Sequence, residues 1–254
     1  MNNIAFIGGT GLNNIQGIEI TDQVTVDTPY GAPSGAIQSF KYGDHKGVFL
    51  ARHGQPHQLP PHQINYRANI HALKQLGVSH ILAVNAVGGI STKAATGQIC
   101  IPDQLIDYTW GREHTFSQQD ADSDLLSVQH IDFSYPFSES LRQHLITQGK
   151  SLSLPISDSG TYAVTQGPRL ETAAEIKKYA QDGCDLVGMT AMPEAALARE
   201  VAIEYASISL VVNPAAGISD EIITMEDIQK VVSEGMGKVT DLLLATFNAL
   251  KSDI

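Results

Sequence analysis

Short apolar, β-prone runs recur along the whole chain, and each ends abruptly in glycines or in polar residues. Six such runs occupy residues 4–7, 48–51, 81–84, 162–165, 186–189 and 205–212. Helical periods fall between several of them. After Pro60 and Pro61, the apolar residues Ile64, Ala68, Ala72, Leu73 and Leu76 share one helical face and stop at Gly77, a residue suited to end a helix. A second helix is predicted over 172–181. Pro193 stands where a first helical turn accepts it, ahead of the helix formers of 194–200. Ile228, Val232, Met236, Val239, Leu243, Phe247 and Leu250 predict a long amphipathic C-terminal helix. This alternation predicts an α/β fold in a single domain, residues 1–254, with a mixed, mainly parallel sheet flanked by helices on both faces. No internal repeat or linker interrupts it.

A chain of 254 residues can bury about three quarters of its unfolded surface. With 43% hydrophobic and 17% charged residues it is not globally disordered. The formal charge of −11 repels phosphate backbones and anionic lipid, which argues against nucleic acid or a membrane surface as partner. An anionic small molecule would need its own local donors. Cys100 and Cys184 form no metal-type pair, the start of the chain lacks the features of a secretion signal, and no apolar run is long enough for a membrane span. A cytoplasmic location is expected.

In such a sheet the ligand crevice lies at the carboxyl ends of the strands, so the residues that follow each strand carry the information. The first strand runs into Gly8-Gly9-Thr10-Gly11, where main-chain N–H groups and the Thr10 hydroxyl can meet an anion. The same turn admits a dinucleotide-binding loop, although Asn14 stands where the third glycine of that motif belongs. The second strand runs into Arg52-His53-Gly54-Gln55-Pro56-His57. Arginine offers phosphate two parallel donors, a geometry that lysine cannot copy. His53, His57 and His62 also invite a metal reading, but Gly54, Pro56, Pro60 and Pro61 oppose the helix that would align them.

The third strand is predicted to end in a glycine-rich turn, Asn85-Ala86-Val87-Gly88-Gly89. Later strands end in Gln166-Gly167-Pro168-Arg169-Leu170-Glu171, in Gly188-Met189-Thr190 and in Asn213-Pro214-Ala215-Ala216-Gly217. A lone Glu171 or Asn213 is ordinarily a solvated loop residue or a helix cap. Their joint arrival at strand ends points to one pocket.

The segments Ile7-Gly8-Gly9-Thr10-Gly11, Arg52-His53-Gly54, Asn65-Tyr66-Arg67-Ala68-Asn69 and Gly188-Met189-Thr190, in this order, resemble the trimeric purine nucleoside phosphorylase and methylthioadenosine phosphorylase family. The likeness spans nearly the whole chain. It implies that Thr10, Arg52, His53, Ala86 and Thr190 bind phosphate, that Met189 packs beneath the ribose, and that Asn213, with Pro214 and Ala215 beside it, contacts the purine. Asn213 and His53 are then the expected catalytic residues. Inorganic phosphate is the co-substrate, and neither a metal nor an organic cofactor is implied. A homotrimer is implied too, with the segment 130–133 crossing to a neighbour's pocket.

Adenine sites of this family carry acidic residues in the loop that here holds Asn213 and Ala215. The amide of Asn213 can instead donate to O6 and N7 of a 6-oxopurine, while Glu171 accepts from N1–H. At the sugar end the family likeness aligns Met225, a soft apolar side chain suited to a methylthio group, where oxopurine phosphorylases carry a histidine. The expected substrate is S-methyl-5'-thioinosine. Three alternatives remain at this point: an inosine and guanosine phosphorylase, a nicotinamide-dependent oxidoreductase, and a non-catalytic purine-binding protein.

Overall fold

A computed structural model describes residues 3–9, 15–117, 129–220 and 222–252. The first strand, β1 (Asn3–Gly8), lies parallel to both β4 (His45–Ala51) and β5 (Val78–Gly89). On its far side β4 continues into an antiparallel pair, β3 (Ile37–Tyr42) and β2 (Glu19–Val24). The other edge of β5 is covered along its length by β11 (Glu204–Pro214), again in parallel. Two short strands, β6 (Ile99–Cys100) and β8 (Ile156–Ser157), extend the sheet beyond β11. A third arm runs from the end of β5 through β10 (Leu186–Gly188) and β9 (Thr161–Val164) to β7 (Gln104–Asp107). Among the described strand pairs, parallel ones predominate, and the mixed, mainly parallel sheet expected from the alternation is present.

The apolar runs are continuous because both faces of the sheet are covered. Along β1 the side chains alternate between two cores. Ala5 and Ile7 join Leu50, Ile81 and Ala83 under α1 (Tyr66–Gln75) and α4 (Ala191–Glu200). Ile4 and Phe6 join Leu82, Val84, Ile208 and Leu210 under α2 (Glu139–Ser151) and α5 (Met225–Ser252). The predicted C-terminal stripe Val232, Met236, Val239, Leu243, Phe247 and Leu250 is the buried face of α5.

Local signals place the helix ends. Gly77 follows α1 at φ 73°, where a side chain would be strained. The helix predicted over 172–181 is α3 (Ala173–Gln181), closed by a reciprocal capping box between Thr172 and Glu175. In α4 the backbone is extended at Met192, so the regular turns begin at Pro193. One expectation is corrected. Residues 85–89 form no turn, because β5 runs straight through Gly89. The glycines are there for close approach: a Cβ on Gly89 would lie 1.9 Å from the Ala94 carbonyl oxygen.

Candidate active site

The cleft forms where the sheet opens. Since β11 occupies one edge of β5, β1 and β10 must share the other, and they leave a gap. Pairing with β1 stops at Ala83, and pairing with β10 starts at Gly88. Across 84–87 that edge of β5 has no strand partner, and Ala86 is exposed in the middle of an otherwise buried segment. A cleft of about 310 Å³ fills this gap, a size suited to a small metabolite. Its walls come from the ends of β1, β4, β5, β10 and β11, the loop before α3 and the start of α5.

Arg52 ends the run of β4 and is almost entirely buried. The fork expected to face phosphate is instead closed on Glu194, with Nε and Nη2 each 2.7 Å from a carboxylate oxygen. Nη1 donates to the Val84 carbonyl at 2.9 Å. Three of the five guanidinium N–H groups are thereby committed, and two remain for a ligand. Burial alone would lower the Arg52 pKa, but the charge and hydrogen bonds of Glu194 outweigh it and leave it raised.

His53 stands beside this pair. Its Nδ1 is 2.8 Å from the Leu59 carbonyl, which can only accept, so Nδ1 carries the proton. In the neutral ring Nε2 is therefore a bare acceptor. Burial, then the charge of Arg52, pulls the His53 pKa down to about 4. The ring stacks on His57 at 4.3 Å and packs so close to Gly9 that a Cβ there would lie 2.9 Å from His53 Cδ2. His53 and His57 lie in turns and His62 in a single 3-10 turn, Pro61–Gln63, so no one helix aligns the three. Among the described residues no group of three His, Cys, Asp or Glu side chains is placed to hold a metal ion.

A polar chain backs the gap in β5. Thr190 donates its hydroxyl to Asn85 Oδ1 at 2.8 Å, and Asn85 Nδ2 donates to Ser207 at 2.7 Å. With its proton committed to Asn85, the Thr190 hydroxyl can only accept from a ligand in the cleft. On the opposite wall Glu171 accepts from Thr165 Oγ1 at 2.6 Å. Its loop is pinned to α3 by Arg169, which grips Glu175 through two bonds of 2.8 and 2.7 Å. Asn213 donates one amide proton to the Pro214 carbonyl at 2.6 Å and keeps the other.

Of the residues singled out from the sequence, Arg52, His53, Ala86, Glu171, Met189, Thr190, Asn213, Ala215 and Met225 line this one cleft. Pro214 does not line it; it closes the ladder of β11 against Gly89. Thr10 lies outside the described residues. Met225 is 71% exposed at the cleft mouth, with Ile223 and Ile228 beside it. Two functional supports escaped the sequence reading, Glu194 and Arg112. Arg112 is buried and donates to the main-chain carbonyls of Thr165, Gln166, Met189 and Met192, tying two strand-end loops together under the site. Its only sequence signal is an arginine five residues past the end of β7.

A doubly covered sheet with an anion-sized polar corner, an amide and a carboxylate opposite, and apolar rims defines an α/β enzyme for a small polar-apolar substrate. The chain belongs to the phosphorylase superfamily, whose sequence profile matches residues 3–248. Probable S-methyl-5'-thioinosine phosphorylase of Pseudomonas syringae pv. tomato is 56% identical over 245 residues, covering 96% of this chain and 98% of its own. The 6-oxopurine nucleoside phosphorylase of Pyrococcus furiosus is 42% identical over 246 residues, with 96% and 92% covered. Methylthioadenosine phosphorylase from Schistosoma mansoni, solved in complex with adenine, superposes with a TM-score of 0.94 at 33% identity, over 99% of this chain and 93% of that one.

Proposed function

We propose that the chain cleaves S-methyl-5'-thioinosine with inorganic phosphate, giving hypoxanthine and 5-methylthioribose 1-phosphate. The observation that carries this reading is the meeting of Arg52, His53, Glu171, Asn213 and Met225 in one cleft. A phosphate oxygen attacks the anomeric carbon as the C–N bond breaks, and the bonding pair leaves with the purine, which then takes up a proton. The sugar passes through a cationic, oxocarbenium-like state, as in glycoside hydrolysis. Holding phosphate beneath it supplies proximity and electrostatic stabilisation. The second N–H of Asn213 meets the charge growing on the N7 and O6 edge. Glu171, with one oxygen held by Thr165, accepts from N1–H. His53, neutral at pH 7, accepts the O–H of hydrogen phosphate at Nε2.

This chemistry requires no metal or organic cofactor. Among the described residues no helix is long and apolar enough to cross a membrane. Cys100 and Cys184 are both buried and form no disulfide, which supports a cytoplasmic enzyme. We infer a homotrimer in which the segment 130–133 covers a neighbour's cleft. The apolar rim that such a neighbour would cover includes Ile223 and Met225, the latter 71% exposed.

Parallel assays of methylthioinosine, inosine and methylthioadenosine with phosphate test the reading. A buried thioether against an unsatisfied hydroxyl favours methylthioinosine over inosine by about tenfold to a thousandfold. Equal efficiency on inosine removes the methylthio assignment. The exposure of Met225 favours an inosine and guanosine phosphorylase as the second reading. Release of adenine in preference to hypoxanthine would remove Asn213 and Glu171 as readers of an oxopurine.

A further inference from the structure

Arg52 and its partner Glu194 form a closed unit at the back wall of the cleft. Arg52 and Glu194 pair with both side chains at 1% exposure or less, and Tyr205 donates a further bond of 2.8 Å to the same carboxylate. Arg52 reaches the cleft, whereas Glu194 and Tyr205 stand behind it. The cleft groups nearest this corner are Gly9, His53, Asn85, Ala86 and Thr190, none of which bears a charge when His53 is neutral. Among the described residues, a phosphate dianion entering here meets the two uncommitted N–H groups of Arg52, whose charge Glu194 cancels, and no net positive charge. Stability does not explain such a pair, since well-packed apolar residues commonly replace buried ion pairs without loss.

We propose that Glu194 is a positioning residue that cancels the charge of Arg52, so that phosphate is held by hydrogen bonds yet keeps its own charge for the reaction. The proposal rests on the phosphorylase reading and deepens it. An uncompensated guanidinium would bind the dianion more tightly in the ground state and would also repel the cationic sugar. Binding energy spent on the ground state does not raise turnover, whereas a dianion free of a counter-charge stabilises the sugar as its positive charge develops. Glu194 thus lowers affinity for phosphate and raises turnover.

The test is the Glu194→Gln variant, which keeps the shape and removes the charge. At an effective dielectric of about 20, one uncancelled charge several ångströms away shifts an equilibrium by roughly tenfold to a hundredfold. The KM for phosphate therefore falls by about tenfold or more, and kcat falls with it. Glu194→Asp, which keeps the charge, restores both toward the parent. Thermal melting in inorganic phosphate or sulfate reads the anion site without turnover, and Glu194→Gln is stabilised at lower anion concentrations than the parent. A folded Glu194→Gln whose phosphate affinity is unchanged or weaker overturns the proposal.

Should Glu194→Gln fail to fold, the cycle of Arg52→Met with Arg52→Met/Glu194→Met replaces it. Both variants lose the Arg52 hydrogen bonds, but the single variant also leaves a bare carboxylate under the anion, so its phosphate KM lies about tenfold to a hundredfold above that of the double variant. A double variant as impaired as the single one overturns the proposal. Phosphate-independent release of base by the parent chain would sink the phosphorylase reading instead, and the anion melting series would still report on Glu194.

Discussion

Replacing Arg112 by methionine should loosen the floor of the active site more than any surface change. The guanidinium donates to four main-chain carbonyls, those of Met192 at 2.6 Å, Met189 and Gln166 at 2.8 Å, and Thr165 at 3.2 Å. Hydrogen bonds to a charged donor contribute about 1.5 to 3 kcal/mol each, and a buried carbonyl left without a donor costs about 1 to 3. Two effects oppose this sum. Burial lowers the Arg112 pKa, which marks a real desolvation cost that the variant recovers. Arg112 also borders a second cleft, of about 250 Å³, from which water can rehydrate some of the carbonyls. The net loss should be about 2 to 4 kcal/mol. It should appear as a lower urea midpoint at an unchanged slope. The loops it ties together carry Met189 and the Thr165 hydroxyl that holds Glu171. The nucleoside KM should therefore rise by about tenfold, more than the phosphate KM. Arg112→Lys should fall between, because three rotatable donors on a point charge cannot span four carbonyls of two loops. A methionine variant that loses less than about 1 kcal/mol and keeps the parent's nucleoside KM would refute the reasoning.

Other expected outcomes can be checked with the same assays. His53 titrates near 6.5 when unfolded and near 4 in the fold, so the unfolded chain binds the extra proton between those values. Its contribution, at most about 3 kcal/mol, is complete above pH 6.5 and lost as pH falls toward 4, which urea melts of the parent and His53→Gln across that range should show. Activity should lack an inflection from His53 between pH 6 and 8. Gly9→Ala should push the His53 ring away, since its Cβ would lie 2.9 Å from Cδ2, and raise the phosphate KM with little change in the nucleoside KM. In Gly89→Ala the Cβ would collide with the Ala94 carbonyl, backbone against backbone, so a loss of about 3 kcal/mol or more in a denaturant titration is expected.

What the amino-acid order determined by itself was whatever depends on near neighbours. The apolar runs became strands, Gly77 ended α1, Thr172 and Glu175 capped α3, Pro193 opened the regular turns of α4, and the α5 stripe faced the sheet. These follow from propensity, period and capping, which act over a few residues. Elements with weak local patterns were missed. The edge strand β2 is exposed along most of its length, and α2 buries an arginine among its few apolar contacts. The glycines at 88 and 89 read locally as a turn, although their reason is a neighbouring backbone that only the fold brings near. Much of the site's composition was legible because Arg52, His53, Met189, Thr190 and Asn213 stand at strand ends, where an α/β sheet binds ligands, whereas Asn85 and Ala86 sit inside β5. The site's electrostatics were not legible. Arg52 reads in isolation as an open phosphate fork, yet 142 positions along the chain Glu194 closes it. Likewise, Arg112 gains its role from four carbonyls that two distant loops deliver. Charge pairing and loop clamping depend on distances through space, and the sheet topology sets those distances.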